Sequence, residues 1–265
     1  MRSMPSDAFS FFVGLHQPSD AGEFPRACIS INRIRGRRKP IDCAEVLVDS
    51  GAFTELNLYG GYRHGVEEYA AELHRLYVAG VVKIAAAVAQ DYMCETFMLD
   101  KTGLTILDHQ RLTVERYDAL KAELDRLFGG ECPFPIMPVL QGYAPSDYVR
   151  HIAMYGDRLK PGMWVGVGSV CKRNGAPEKI VAVLEAIAAI RPDLRLHGFG
   201  VKRTALKHSG VRDLLATADS MAWSFAARYE GRDGNSPKEA QAFVAEINAV
   251  TAQAREPWQM SLFAA

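Results

Sequence analysis

The sequence lacks the features that would assign it quickly to several classes of protein. Its 31 Lys and Arg residues balance 31 Asp and Glu residues, so only a local basic segment could indicate a polyanionic partner. No run reaches the roughly 18 apolar residues of a membrane span, and no basic, apolar leader opens the chain. The five cysteines form no CxxC pair, which argues against a disulfide framework or a structural zinc knuckle. We therefore expect a cytoplasmic protein with no metal ion and no membrane partner.

Strand-like and helix-like segments alternate along the chain. Eight strands are predicted, over 9–16, 28–34, 46–50, 81–90, 135–140, 163–168, 194–201 and 220–224. Helices are predicted over 66–77, 109–128, 145–159, 176–190, 204–215 and 236–252. This alternation predicts an α/β fold, a single-domain (β/α)8 TIM barrel over 1–254 with a tail at 255–265. The alternative is an open doubly wound sheet, although no GxGxxG follows the first strand. No helix is predicted between the first two strands.

Polar residues and glycines follow most of the predicted strands, and in a TIM barrel these ends share one face. The polar residues and glycines at these ends are Asp49, Ser50, Asp91, Gln141, Gly142, Gly168, Ser169, His197, Gly198 and, at the last strand, Asp219. Carboxylates and an amide suit the polar edges of a flat heterocycle, and Phe53 could stack on its face. The alternatives are helix capping by Asp49 or Ser50 and a hydrogen-bonded core position for His197. Cys94 and Cys171 lie near these ends, but neither has a paired base that would make it a nucleophile.

Five of these segments resemble the tRNA-guanine transglycosylase superfamily, and they follow that family's order. Residues 49–53 read DSGAF, similar to its DSGGF signature. The segments around Asp91 (AVAQDYMCE), Gln141 (VLQGY), 196–201 (LHGFGV) and Asp219 (ADSMAWS) resemble its other strand-end motifs. The family's CxCxxC zinc motif is absent, and the chain is shorter than the bacterial tRNA enzymes. Both departures, with WVGVGSVCKRNG at 164–175, look more like the compact relatives that place 7-deazaguanine bases into DNA.

The resemblance implies an exchange of bases at a glycosidic carbon. It implies that Asp219 is the nucleophile that attacks C1′ of a guanosine nucleotide, and that Asp49 is the general acid and base. It implies a base site formed by the other strand-end residues above, with 7-cyano-7-deazaguanine as the expected co-substrate and no cofactor. The alternatives are the same chemistry on tRNA, a non-catalytic nucleic-acid-binding subunit, and an unrelated barrel hydrolase.

Basic residues follow three of the predicted strands, where we expect them to bind the nucleic-acid backbone from a shared rim. They are Arg33, Arg35, Arg37, Arg38 and Lys39 after the second strand, and Lys172, Arg173, Lys202 and Arg203 after later ones. The alternative is that these are solvated surface loops.

The C-terminal tail carries a second resemblance. Residues 259–263 read QMSLF, similar to the QLSLF-type peptide with which bacterial DNA enzymes bind the replicative sliding clamp. Leu262 and Phe263 would be its apolar anchors and Gln259 its polar contact. The alternative is that Leu262 and Phe263 fold back onto the barrel. The expected partners are therefore DNA (or tRNA), a 7-deazapurine base and the sliding clamp.

Overall fold

The computed structural model describes residues 9–252, and its centre is one sheet in which all paired strands are parallel. The strands are β1 (Ser10–Gly14), β2 (Arg26–Ser30), β3 (Glu45–Asp49), β4 (Ile84–Val88), β5 (Ile136–Met137), β6 (Val139–Leu140), β7 (Trp164–Val167), β8 (Arg195–Gly198) and β9 (Thr217–Ser220). Their order across the sheet is β5-β4-β3-β2-β1-β9-β8-β7-β6. The two edge strands, β5 and β6, are therefore neighbours along the chain.

Pro138 alone separates these two edge strands. The carbonyls of Pro135 and Met137 accept hydrogen bonds from the β4 side, and those of Pro138 and Leu140 accept from the β7 side. The ring of strands closes through this stretch, because alternate carbonyls of one extended segment reach both neighbours. Proline has no N–H to donate, so Pro138 interrupts the strand predicted over 135–140. Within residues 9–252 the result is a TIM-like barrel with nine short strands where the sequence predicts eight.

Helices flank the barrel. They are α1 (Ile31–Ile34), α2 (Ala52–Tyr59), α3 (Val66–Val78), α4 (Thr96–Thr102), α5 (Ile106–Phe128), α6 (Pro145–Tyr155), α7 (Pro177–Ile190), α8 (Arg203–Leu206), α9 (Ser209–Arg212), α10 (Ala222–Tyr229) and α11 (Pro237–Ala252). Short 3-10 helices cover Pro18–Glu23, Gly156–Arg158 and Cys171–Arg173. No α-helix separates β1 from β2 in this part of the chain, as the sequence predicts. A capping box of Thr105 and Asp108 starts α5, and Gly129 at φ +67° ends it.

Most of the buried apolar residues form one core inside the barrel or another between the sheet and the helices. On β3, Leu47 joins the inner core, whereas Val46 and Val48 join the outer one, because successive side chains of a strand point to opposite faces. Phe12 and Trp164 pack together inside the barrel, with ring centroids 5.5 Å apart. Each such buried side chain contributes about 1.5–3 kcal/mol. This packing leaves the polar residues at the strand ends around the opening.

Besides the strand that is divided at Pro138, three predicted elements need correction. β2 ends at Ser30, because the Ser30 hydroxyl accepts a hydrogen bond from the Asn32 N–H and caps α1. The strand predicted over 220–224 is wrong: Ser220 ends β9, and its hydroxyl accepts from the Ala222 N–H at the start of α10. Asp219 therefore lies within a strand rather than before one. The helix predicted over 204–215 is divided into α8 and α9 by His208, whose backbone is extended.

Between residues 9 and 252, no helix is long and apolar enough to cross a bilayer. The clamp-like peptide, with Gln259, Leu262 and Phe263, lies outside the described residues.

Candidate active site

A cavity of about 460 Å³ lies at the carboxyl ends of the strands, a size typical of small-molecule sites. It brings together seven of the predicted catalytic and base-binding residues: Asp49, Phe53, Asp91, Gln141, Gly168, Ser169 and Asp219. These residues come from five separate regions of the sequence, and the barrel alone makes them neighbours.

Two carboxyl groups in this cavity have raised pKa values. Burial, with a further contribution from the charge of Asp219, raises the pKa of Asp49 to about 6. Burial and the charge of Asp49 raise the pKa of Asp91 to about 7. Asp49 Oδ2 also accepts a hydrogen bond of 2.9 Å from the Gly51 N–H. Gly51 has φ +81°, and a Cβ there would lie 2.7 Å from Asn32 Nδ2, so glycine is required. Groups that titrate near neutral pH are suited to proton transfer.

Gln141 links Asp91 to Ser169 along one wall of the cavity. Its Nε2 donates to Asp91 Oδ2, and its Oε1 accepts from the Ser169 hydroxyl at 2.7 Å. Ser169 is the only non-glycine residue among 9–252 with a positive φ, +55°, a strained conformation that is common at functional sites. The Cys94 N–H holds its hydroxyl at 2.8 Å. The amide of Gln141 is thus fixed in one orientation beside the cavity.

Asp219 is held by two donors on one of its oxygens. Oδ1 accepts from the Gly200 N–H at 3.0 Å and lies 3.3 Å from His197 Nε2. The Thr217 hydroxyl accepts from Trp164 Nε1–H at 2.7 Å and lies 2.8 Å from His197 Nδ1. Thr217 can donate its hydroxyl proton to His197 Nδ1. In that arrangement Nδ1 carries no proton, so the proton of the ring lies on Nε2 and points toward Asp219. Oδ2 of Asp219 has no hydrogen-bond partner within residues 9–252.

Four predicted base-binding residues do not line this cavity. Ser50 is buried, with its hydroxyl 3.4 Å from Asp91 Oδ1, and His197 is buried behind Asp219. Gly142 faces α6, where a Cβ would lie 2.6 Å from Asp147 Cβ, and Gly198 faces Val201. At these positions the four residues support those that line the cavity, whereas the sequence predicts that they contact a base directly.

The cavity also contains residues that the sequence analysis did not identify. Asn32 and Arg63 both line it and both bind Glu55, at 2.8 and 2.7 Å from Oε1. Arg63 lowers the pKa of Glu55 to about 2. Tyr62 lies behind the wall, where its hydroxyl bonds both the N–H and the carbonyl of Asp91 at 2.9 Å. The one signal of this in the sequence is Ser30, because a serine that caps a helix ends the strand there and turns Asn32 away from it.

The cysteines near the site stay in the thiol form. Burial raises the pKa of Cys171 to about 12 and raises that of Cys94 still further. This agrees with the expectation that neither is an activated nucleophile. Between residues 9 and 252, no three His, Cys, Asp or Glu side chains form a group that could hold a metal ion.

The predicted basic rim is only partly assembled. Arg33 lines the cavity, and Lys172, Arg173, Lys202 and Arg203 follow the carboxyl ends of β7 and β8. Arg203 forms an ion pair with Glu246 on α11.

Four basic residues lie elsewhere, namely Arg35, Arg37, Arg38 and Lys39. The Gly36 N–H donates to Glu72 on α3, and the Ile41 N–H donates to the Val81 carbonyl before β4. This segment therefore runs down the outside of the barrel, away from the cavity, and does not form the shared rim that its position in the sequence predicts.

Gly168 provides a direct check on the amide of Gln141. A Cβ at Gly168 would lie 2.1 Å from Gln141 Nε2, so Gly168→Ala must displace the amide from Asp91 and Ser169. We expect thermal unfolding to show a loss of about 1–3 kcal/mol, because buried polar groups lose their partners. Gly130→Ala is the matched control, since nothing lies within 4 Å of its Cβ position. Equal stability of the two variants would contradict this packing.

No curated protein matches the chain. A family model described as "DpdA: DeoxyPurine in DNA protein A" matches residues 9–240. That range includes every strand of the barrel and the three carboxylates of the cavity. The chain therefore belongs to the DpdA family.

Proposed function

We propose that the protein replaces guanine in DNA by a 7-deazaguanine, with 7-cyano-7-deazaguanine as the incoming base. The observation that carries the proposal is that Asp49, Asp91 and Asp219 surround one cavity at the strand ends of a barrel from the DpdA family. Family membership supports a glycosyltransferase that acts on DNA. The identity of the base and the covalent intermediate are part of the proposal.

In the first step, Asp219 attacks C1′ of the target nucleotide and the glycosidic bond to guanine breaks. The bonding electrons leave with guanine, which takes a proton from Asp49, and an ester joins the sugar to Asp219. In the second step, the incoming 7-deazaguanine gives a proton to Asp49 and its ring nitrogen attacks C1′. The carboxylate of Asp219 leaves, and both catalytic groups return to their initial state.

The contacts of Asp219 suit this role. The Gly200 N–H and His197 hold Oδ1, so Oδ2 is the oxygen available for attack. A carboxylate fixed by two donors loses little freedom on reaching the transition state. Retaining glycosidases also use one carboxyl group as the nucleophile and another as the general acid and base, with water in place of the second base.

Asp91 and Gln141 are the proposed readers of the base edge. An ionised carboxylate can accept two N–H bonds, and guanine and 7-deazaguanine present the same N–H donors on the pyrimidine side of the ring. Phe53, which lies on α2 and is 44% exposed, would cover one face. A site that holds these shared donors can bind both the departing and the incoming base, as exchange requires.

The decisive experiment supplies labelled guanine, or labelled 7-cyano-7-deazaguanine, together with single-stranded DNA or tRNA. We expect label to enter DNA and unlabelled guanine to appear in solution. Label in tRNA alone would favour the RNA alternative. Binding without exchange on either nucleic acid would favour a non-catalytic subunit.

DNA binding should also weaken as salt rises, because phosphate contacts release counterions. Arg33 and the basic residues after β7 and β8 are the proposed contacts.

Gln259, Leu262 and Phe263 remain the proposed contacts to the sliding clamp. A chain that ends at residue 258 should no longer be retained on immobilised clamp, and undiminished retention would remove that partner.

A further inference from the structure

A second cavity, of about 500 Å³, lies beside the candidate active site. Ser169 lines both cavities, so they share a wall. The lining also includes Tyr143, Lys172, Arg173 and Lys179, none of which belongs to the base site proposed above. Tyr143 is only two residues from Gln141, which faces the first cavity. The two cavities are therefore adjacent sites on one surface.

The second cavity is positively charged. Lys172, Arg173 and Lys179 have no ion-pair partner within residues 9–252. Glu95 is the one carboxylate among the described lining residues, and it is only 5% exposed. Its oxygens contact the Ser169 hydroxyl and the Cys171 thiol on the inner wall. The solvent side of the cavity thus presents cations, which suits an anionic ligand.

An aromatic ring lies beside these cations. Tyr143 is 55% exposed, and the Arg173 guanidinium carbon lies 5.0 Å from its ring centroid. Arg173 also donates to the Tyr143 carbonyl at 2.6 Å, and Asp147 accepts from the Tyr143 N–H at 2.9 Å. The backbone that carries the ring is therefore fixed at both of its polar groups. An exposed ring next to cations is the combination with which proteins bind unpaired nucleotides.

We propose that this second cavity binds the nucleotide next to the one whose base is exchanged, with its base on Tyr143 and its phosphate at Lys172, Arg173 and Lys179. The inference rests on the proposed function, because it assumes a nucleic-acid strand in the first cavity. A nucleotide stacked on Tyr143 cannot remain in a base pair. The enzyme therefore requires a strand that is unpaired at two successive positions, rather than a duplex from which one base is extruded.

Two variants test the cavity, each with a matched control. Tyr143→Ala removes the ring, whereas Tyr143→Phe keeps it. Lys179→Gln removes a cation here, whereas Lys160→Gln removes an exposed one that precedes β7, on the amino-end side of the barrel. The readouts are the Kd for a labelled single-stranded oligonucleotide at several salt concentrations, and the KM for exchange on that oligonucleotide and on 2′-deoxyguanosine 5′-monophosphate.

We expect Tyr143→Ala to weaken oligonucleotide binding about 5- to 150-fold, the range that base–aromatic stacking gives. Lys179→Gln should reduce the salt slope of log Kd by about 0.7, the value for one phosphate contact in a single strand. Neither should change the KM for the mononucleotide, which has no neighbour, and both controls should behave as wild type.

The outcomes separate this inference from the proposed function. If no substrate undergoes exchange, the proposed function fails, and the binding measurements still test the cavity. Unchanged oligonucleotide affinity in Tyr143→Ala and Lys179→Gln would overturn the inference, even in an active enzyme. An equal rise in KM for the oligonucleotide and the mononucleotide would also overturn it, since the residues would then act on the exchanged nucleotide itself.

Discussion

Replacing Asp219 by asparagine should abolish base exchange while the protein stays folded and still binds DNA. Asparagine has the same shape and can still accept the Gly200 N–H that Asp219 Oδ1 accepts now. It cannot form the sugar ester, because a neutral amide is a very weak nucleophile. We expect the rate of exchange to fall on the order of 10⁴-fold or more, as for the loss of a catalytic nucleophile.

The measurement is the transfer of labelled guanine into single-stranded DNA, together with mass spectrometry of the denatured protein after incubation with DNA. Wild type should show a protein–DNA adduct that Asp219→Asn lacks. Asp157→Asn, an exposed substitution in the 3-10 helix Gly156–Arg158 before β7, is the control and should behave as wild type. Exchange by Asp219→Asn near the wild-type rate would exclude this residue as the nucleophile.

The barrel was predictable because its strands carry strong local signals. Val46, Leu47 and Val48 are apolar without interruption and are fully buried in β3, and Asp49 follows them into the cavity. The segment 220–224 shows the limit of such reasoning. Its apolar residues fit a strand as well as a helix, and the Ser220 hydroxyl, which accepts a hydrogen bond from the Ala222 N–H, favours the helix. The resemblance thus predicts the position of Asp219, whereas the apolar pattern places its strand at the wrong residues.

Contacts between residues far apart in the sequence explain why the sequence does not predict Asn32 and Arg63 at the site. Asn32 and Arg63 are 31 positions apart, and Glu55 brings them together only after α1 and α2 have formed. Conversely, Arg33 and Lys39 are close in sequence, yet only Arg33 lines the cavity. A cluster of charges in a sequence does not specify the direction in which the backbone leaves a strand. Here the Gly36 N–H donates to Glu72 on α3, on the outside of the barrel.

The pKa values of the site indicate how one carboxyl group could serve as both acid and base. Asp49 titrates near pH 6 because the barrel partly shields it from water and Asp219 lies close to it, and Asp91 titrates near pH 7 because it is buried near the charge of Asp49. The first chemical step needs Asp49 protonated, and base recognition needs Asp91 ionised. The required form is therefore most abundant between about pH 6 and 7, where kcat/KM for DNA should have its maximum. The curve should be a narrow bell whose apparent pKa values belong to the coupled groups together.

Replacing Asp49 by asparagine should lower the rate of exchange by about 10²- to 10⁴-fold, the usual contribution of a general acid and base. The alkaline limb of the kcat/KM profile should disappear with it, because that limb reports loss of the Asp49 proton. Asp91→Asn should instead remove the acidic limb. A profile with both limbs intact in Asp49→Asn would show that another group carries the proton.

At pH 8, Asp49→Asn should be more stable than wild type even though it is less active. The pKa of Asp49 is raised in the folded protein, from an ordinary value of 3.8 to about 6, so the folded state binds this proton more tightly than the unfolded state. The resulting stabilisation is complete below about pH 4 and is lost as pH rises through 6, after which a poorly solvated charge opposes folding. Asp49→Asn has no such charge, so at pH 8 its free energy of unfolding should exceed that of wild type by about 1–3 kcal/mol. The difference should vanish near pH 4. An inactive variant that is also less stable at pH 8 would identify Asp49 as a structural residue, whereas lost activity with gained stability is the result expected of a catalytic acid held in an unfavourable place.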